Sequence, residues 1–114
     1  MLKTIYIKEN MPSVDEARKR LANEINMAKK AGVKAMKVVH GYGSTGKGGA
    51  LRDALRKSLL RRKKEGVISG YVYGEKWSIF EPDARAVLEI CPQLSSDPDL
   101  NRGNEGVTIV LLQG

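Results

Sequence analysis

Five glycines fall within nine residues of this chain, Gly41, Gly43, Gly46, Gly48 and Gly49, and they constrain its fold more than any other feature. Glycine takes positive φ readily and lets another molecule approach the backbone. Before the glycines comes Ala35-Met36-Lys37-Val38-Val39, a short apolar run that reads as a buried strand. After them Leu51, Leu55 and Leu59 recur at helical spacing. The layout is therefore strand, glycine loop, helix N-terminus. Unpaired N–H groups and the positive end of the helix dipole meet at such a point, an arrangement that favours anions. The expected ligand at this loop is phosphate.

Two families use that layout. Gly41 to Gly48 nearly matches the nucleotide-binding pattern G-x-x-x-x-G-K-[ST], but Gly48 stands where a hydroxyl would ligate Mg²⁺. The segment His40-Gly41-Tyr42-Gly43 followed by Gly49-Ala50-Leu51-Arg52 fits better: it resembles the H-G-x-G…G-x-L-R signature of the Smr (small MutS-related) domain family. Upstream, Glu16-Ala17, Leu21, Ile25 and Gly32 fall where that family has its first helix. Downstream, Gly103 to Leu111 resembles its closing G-x-x-G-x-T-x-V-x-L strand. The resemblance implies a nucleic-acid-binding module of βαβαββ core, several relatives having nicking or RNA-cleaving activity. A second family motif, L-D-x-H on the first strand, is missing. Ile5-Tyr6-Ile7-Lys8 takes its place, so Tyr6 replaces the acid and Lys8 the histidine.

Charge agrees with a polyanion partner, although a solvated basic face would account for it too. Net charge is +7, and residues 45–66 carry eight Lys/Arg against two acids. Residues 75–106 reverse the balance, with three against seven. The single Cys91 excludes an internal disulfide framework and suits a reducing, cytoplasmic setting. One His and one Cys do not make a His/Cys zinc site, and no cofactor is implied. No apolar run approaches the ~20 residues of a membrane span.

Along the chain, Lys3 to Lys8 alternates as a half-buried strand. Ser13-Val14-Asp15-Glu16 has the form of a capping box, opening a helix with Val14, Ala17, Leu21, Ile25 and Ala28 on its apolar face. On the second helix Arg52, Arg56 and Lys63 fall beside the leucine stripe, with Lys57, Arg61 and Lys64 further round. Val67 to Tyr73 reads as a strand and Val107 to Leu112 as a central one. Residues 74–102 depart from the family pattern as an acidic insert. Pro82 opens its short helix, and Trp77, Ile79, Phe80, Val87 and Leu88 are its apolar residues for packing on the domain. The expected fold over residues 1–114 is one α/β domain. It is a two-layer sandwich with a mixed four-stranded sheet and an extra short helix before the last strand.

The expected function is RNA or DNA binding, with weak or absent endonuclease activity. The residues assigned to binding are Lys8, Gly41, Tyr42, Gly43, Ser44, Thr45, Gly46, Lys47, Arg52, Arg56 and Lys63. His40 is the candidate catalytic group, as the one side chain whose ordinary pKa lies near neutrality. Its alternative role is to hold the turn through a carbonyl. Arg52 and Arg56 lie off the apolar stripe, so their replacement is expected to spare stability. Two other readings remain: a protein-interaction domain that recruits a partner through the insert, and a nucleotide binder.

Overall fold

The computed structural model describes residues 2–7, 12–41 and 47–113. Among them the chain forms β1 (Leu2–Tyr6), α1 (Val14–Lys30), β2 (Ala35–Val39), α2 (Lys47–Lys64), β3 (Gly70–Tyr73), α3 (Pro82–Ile90) and β4 (Val107–Leu111). Short 3-10 stretches at Gly74–Lys76 and Pro92–Ser96 flank α3.

The strands make one mixed sheet in the order β1-β2-β4-β3. β1 runs parallel to β2, with α1 as the crossover that a parallel pair requires. β4 inserts between β2 and β3, antiparallel to both. It is buried at all five positions, as expected of an internal strand covered on both faces.

The two-residue period of the strands divides the core in two. Ile5, Ile7, Met36, Val38, Val110 and Leu112 face α1 and α2, meeting Leu21 and Ile25 from one helix and Leu55 and Leu59 from the other. Ala35, Val72, Ile109 and Leu111 face the opposite way, onto Trp77, Ala84, Val87, Cys91 and Leu94. Residues 74–102 therefore cover the sheet face that α1 and α2 leave open. The capping box of α1 is present, Ser13 Oγ accepting from Glu16 N–H and Glu16 Oε1 from Ser13 N–H.

Several boundaries differ from the sequence reading. β1 ends at Tyr6, although Ile7 N–H still donates to Val39 O at 2.9 Å. β3 begins at Gly70 rather than Val67, because Val67 N–H is drawn back to Arg62 O to close α2. Ile79 and Phe80 do not pack on the domain: they are 45% and 82% exposed. Their turn is fixed by polar bonds instead, Ile79 N–H donating to Asn101 Oδ1 and Phe80 N–H to Ser78 Oγ.

Candidate functional site

The site begins where β2 runs out. His40 follows the strand on the face of α2, and its ring is buried at 2% exposure. Its backbone N–H and that of Gly41 both donate to Gly106 O, at 2.9 and 3.0 Å. Gly41 turns the chain with a φ of +76°, a region that side chains rarely adopt. The ring closes the corner. A carbonyl can only accept, so Nδ1–H donates to Gly41 O at 2.6 Å, and Nε2 accepts from the Thr108 hydroxyl at 3.0 Å. Burial lowers the ring's pKa below its ordinary 6.5; Arg56 and Arg52 push the same way, against the Gly41 carbonyl and Glu75. The neutral imidazole thus holds the turn with both nitrogens.

Lys8, Tyr42, Gly43, Ser44, Thr45 and Gly46, all assigned to binding from sequence, lie outside the described residues. Lys47 opens α2, which has no acid in its first turn. Arg52, Arg56 and Lys63 do share one ridge, but each has a partner within the fold. Arg52 reaches Glu105 at 3.4 Å. Arg56 Nη2 donates to both carboxylate oxygens of Glu75, at 2.6 and 2.8 Å, while its guanidinium lies 3.9 Å over the Tyr73 ring. Lys63 Nζ stands 5.7 Å over Tyr71. Burial raises the pKa of Glu75, but Arg56 outweighs it and holds the carboxyl below its usual value.

The expectation that Arg52 and Arg56 can be replaced without cost is therefore corrected. Both lie off the leucine stripe, yet they tie α2 to β3 and to the segments on either side of α3. Tyr71 and Tyr73 share a face, as their spacing required, with ring centroids 5.1 Å apart. They stack on each other, under cations.

The second basic group is different. The side chains of Lys57, Arg61 and Lys64 are exposed and, among the described residues, make no hydrogen bond or ion pair. Spaced i, i+4 and i+7, they form one stripe about 10 Å long on the outer side of α2.

The opposite side of the sheet holds a buried charge cluster that sequence reasoning missed. Lys37 shares the strand face of Ala35, beneath residues 74–102, and donates to Asp97 Oδ1 at 2.7 Å and Asp99 Oδ2 at 2.5 Å. Trp77 Nε1–H donates to the second oxygen of Asp97 at 3.0 Å, and Asn104 Nδ2–H to the second oxygen of Asp99 at 2.9 Å. Burial lowers the pKa of Lys37, but the two aspartates more than offset it and raise it above 10.5. The lone Lys inside an apolar run was the available signal. Among the described residues, no group of three or more His, Cys, Asp or Glu could hold a metal ion. Nor is any helix there long and apolar enough to cross a membrane.

Comparison with known proteins bears on this arrangement. The crystal structure of the Smr domain of Thermus thermophilus MutS2 superimposes with a TM-score of 0.62, covering 98% of this chain and 99% of that one at 22% identity. A search of curated proteins gives no match. The family model of the Smr domain matches residues 10–77, from the start of α1 to just past β3. With more than half its length in that match and the same fold, the chain belongs to the Smr domain family.

Proposed function

We propose that this Smr domain binds the phosphate backbone of RNA or DNA, through the glycine loop and the outer stripe of α2, and cleaves it weakly or not at all. The observation that carries the reading is the contrast between two sets of three cations on α2. Arg52, Arg56 and Lys63 have acidic or aromatic partners inside the fold, whereas Lys57, Arg61 and Lys64 face solvent without one. Basic residues in the last turn also favour the helix dipole, which accounts for part of this bias. It does not account for Lys57, two turns earlier. Cations that neutralise phosphates release counterions, and this makes affinity fall steeply with salt.

The alternative reading, a protein partner recruited by the charge of residues 74–102, is less favoured by the ion pairs within the fold. Four of the six carboxylates in residues 74–102 are ion-paired: Asp97 and Asp99 with Lys37, Glu75 with Arg56 and Glu81 with Lys76.

The test compares two substitution sets in mobility-shift titrations across salt. Replacing Lys57, Arg61 and Lys64 together by Gln removes three phosphate partners. It should flatten the plot of log affinity against log salt by about 2 for a single strand, from a slope of about 0.7 per neutralised phosphate. Thermal stability should be nearly unchanged. If this triple variant binds as the wild type does, at every salt concentration, α2 is not the contact surface.

A further inference from the structure

A path of hydrogen bonds passes the end of β2 and the start of β4, from the buried Lys37 cluster to the His40 corner. Lys37 Nζ binds Asp99 Oδ2 at 2.5 Å, and Asp99 Oδ1 accepts from Asn104 Nδ2–H at 2.9 Å. Asn104 Oδ1 accepts from Gly106 N–H at 2.8 Å. Gly106 O is the shared acceptor of the His40 and Gly41 N–H groups. Asn104 is the one side chain in this path that uses its amide at both ends, donating a hydrogen bond to the charge cluster and accepting one from the backbone that holds the corner. Its own backbone is fixed as well. A Cβ on Gly74 would lie 1.7 Å from Asn104 O, so the exit of β3 passes directly against it.

We propose that Asn104 is the positioning residue of the His40–Gly41 corner, and that Lys37, Asp97 and Asp99 are its anchor. Asp97 and Lys37 are nearly inaccessible, with side chains 5% and 8% exposed, so the anchor is set by packing before any ligand arrives. The amide orients Gly106, and Gly106 O then sets where the chain leaves β2 and enters the glycine loop. Asparagine fits because its amide carries donors and an acceptor on one planar group, and so can bridge a carboxylate and an N–H. The inference rests on the proposed function only in taking that loop as a nucleic-acid contact.

The test is amide hydrogen exchange, which reads the corner with no nucleic acid present. Asn104→Ala removes both bonds and leaves the Asp99 oxygen and the Gly106 N–H unsatisfied. Exchange at His40 and Gly41 should speed up about tenfold or more, while amides within α1, such as Leu21 and Ile25, keep their wild-type rates. A merely structural role would loosen all of these together, as Leu94→Ala in the same layer should. The decisive variant is a swap. Asn104→Asp alone loses the donor to Asp99 and should loosen the corner. Asp99→Asn combined with Asn104→Asp restores a donor–acceptor pair at unchanged net charge, and should return protection to His40 and Gly41.

Uniform loosening in Asn104→Ala, unchanged exchange at the corner, or no rescue by the swap would each overturn the proposal. RNA affinity of the same variants separates the two ideas. A loosened corner with unaltered affinity counts against the loop as nucleic-acid contact and leaves the positioning role standing.

Discussion

His40 combines a buried ring, two hydrogen bonds and a lowered pKa, and the combination has a thermodynamic consequence. Below pH 6.5 the unfolded chain takes up a proton that the native ring resists. Stability is therefore full above that pH and falls as the pH drops toward the lowered native pKa, by at most about 1.4 kcal/mol per pH unit. Urea unfolding between pH 7.5 and 5 should show this slope, and His40→Asn should lack it. The same slope in both proteins would mean that the ring does not titrate as its burial requires. Lys37 acts at the other end of the scale, since its raised pKa keeps it charged, and its contribution is lost only above pH 10.5. Lys37→Met would leave two carboxylates without a counter-ion in the interior and should cost about 3–5 kcal/mol. Chemical denaturation checks this, and a loss under 1 kcal/mol would show that water already screens the cluster. Neither role was fully legible in the sequence. His40 was singled out for its chemistry and its turn-holding alternative was foreseen, but Thr108 as its second partner lies 68 residues away. Lys37 looked like an interruption of an apolar run, and only the packing of residues 74–102 reveals what it meets.

The elements themselves were readable because their signals are local. The capping box, the leucine stripe and the two-residue alternation each specify an element from within a few residues, and α1, α2, β2, α3 and β4 follow closely. What sequence periodicity does not carry is which polar side chains on those elements meet across space. The α2 ridge is the clearest instance: helical geometry grouped Arg52, Arg56 and Lys63 correctly, yet Glu75, Glu105 and the tyrosine rings that occupy them come from β3 and beyond. Arg56→Ala should accordingly cost about 2 kcal/mol, from a charge-assisted pair and a guanidinium–ring contact. Residues 74–102 present the same issue at larger scale. Composition marks them as acidic and their apolar residues as packing on the domain; Trp77 and Leu94 at 0% exposure make them a core layer, Leu94 not having been singled out. Trp77→Ala should cost about 3–5 kcal/mol, and removal of residues 75–101 should abolish cooperative unfolding. A soluble deletion variant with an intact thermal transition would show instead that this layer is dispensable.

For the whole molecule, the question is whether a domain with the proposed binding surface can also cut. Phosphodiester cleavage needs a proton acceptor for the nucleophile and a group to stabilise charge on phosphorus. The described residues offer few candidates. Tyr6 stands where the family resemblance leads one to expect an acid, and its side chain is 49% exposed. Its register partner is Val39, so Tyr6 leaves the sheet on the face opposite to the His40 ring. His40 itself has Nδ1 committed to Gly41 O and Nε2 to Thr108. A base with no free nitrogen must first break a buried hydrogen bond. Losing one acid–base group typically costs about 10²–10⁴ in rate, so wild-type nicking or RNA cleavage should be at or near background even where binding is saturated. Tyr6→Asp with Lys8→His rebuilds the missing first-strand motif and should raise cleavage measurably on the same substrate, at protein concentrations that saturate binding. The measurement is single-turnover cleavage of labelled RNA and of supercoiled DNA, on protein freed of contaminating nuclease. Strong wild-type cleavage that disappears in His40→Ala, with binding retained, would sink this expectation, because it would require a ring nitrogen that the fold already occupies.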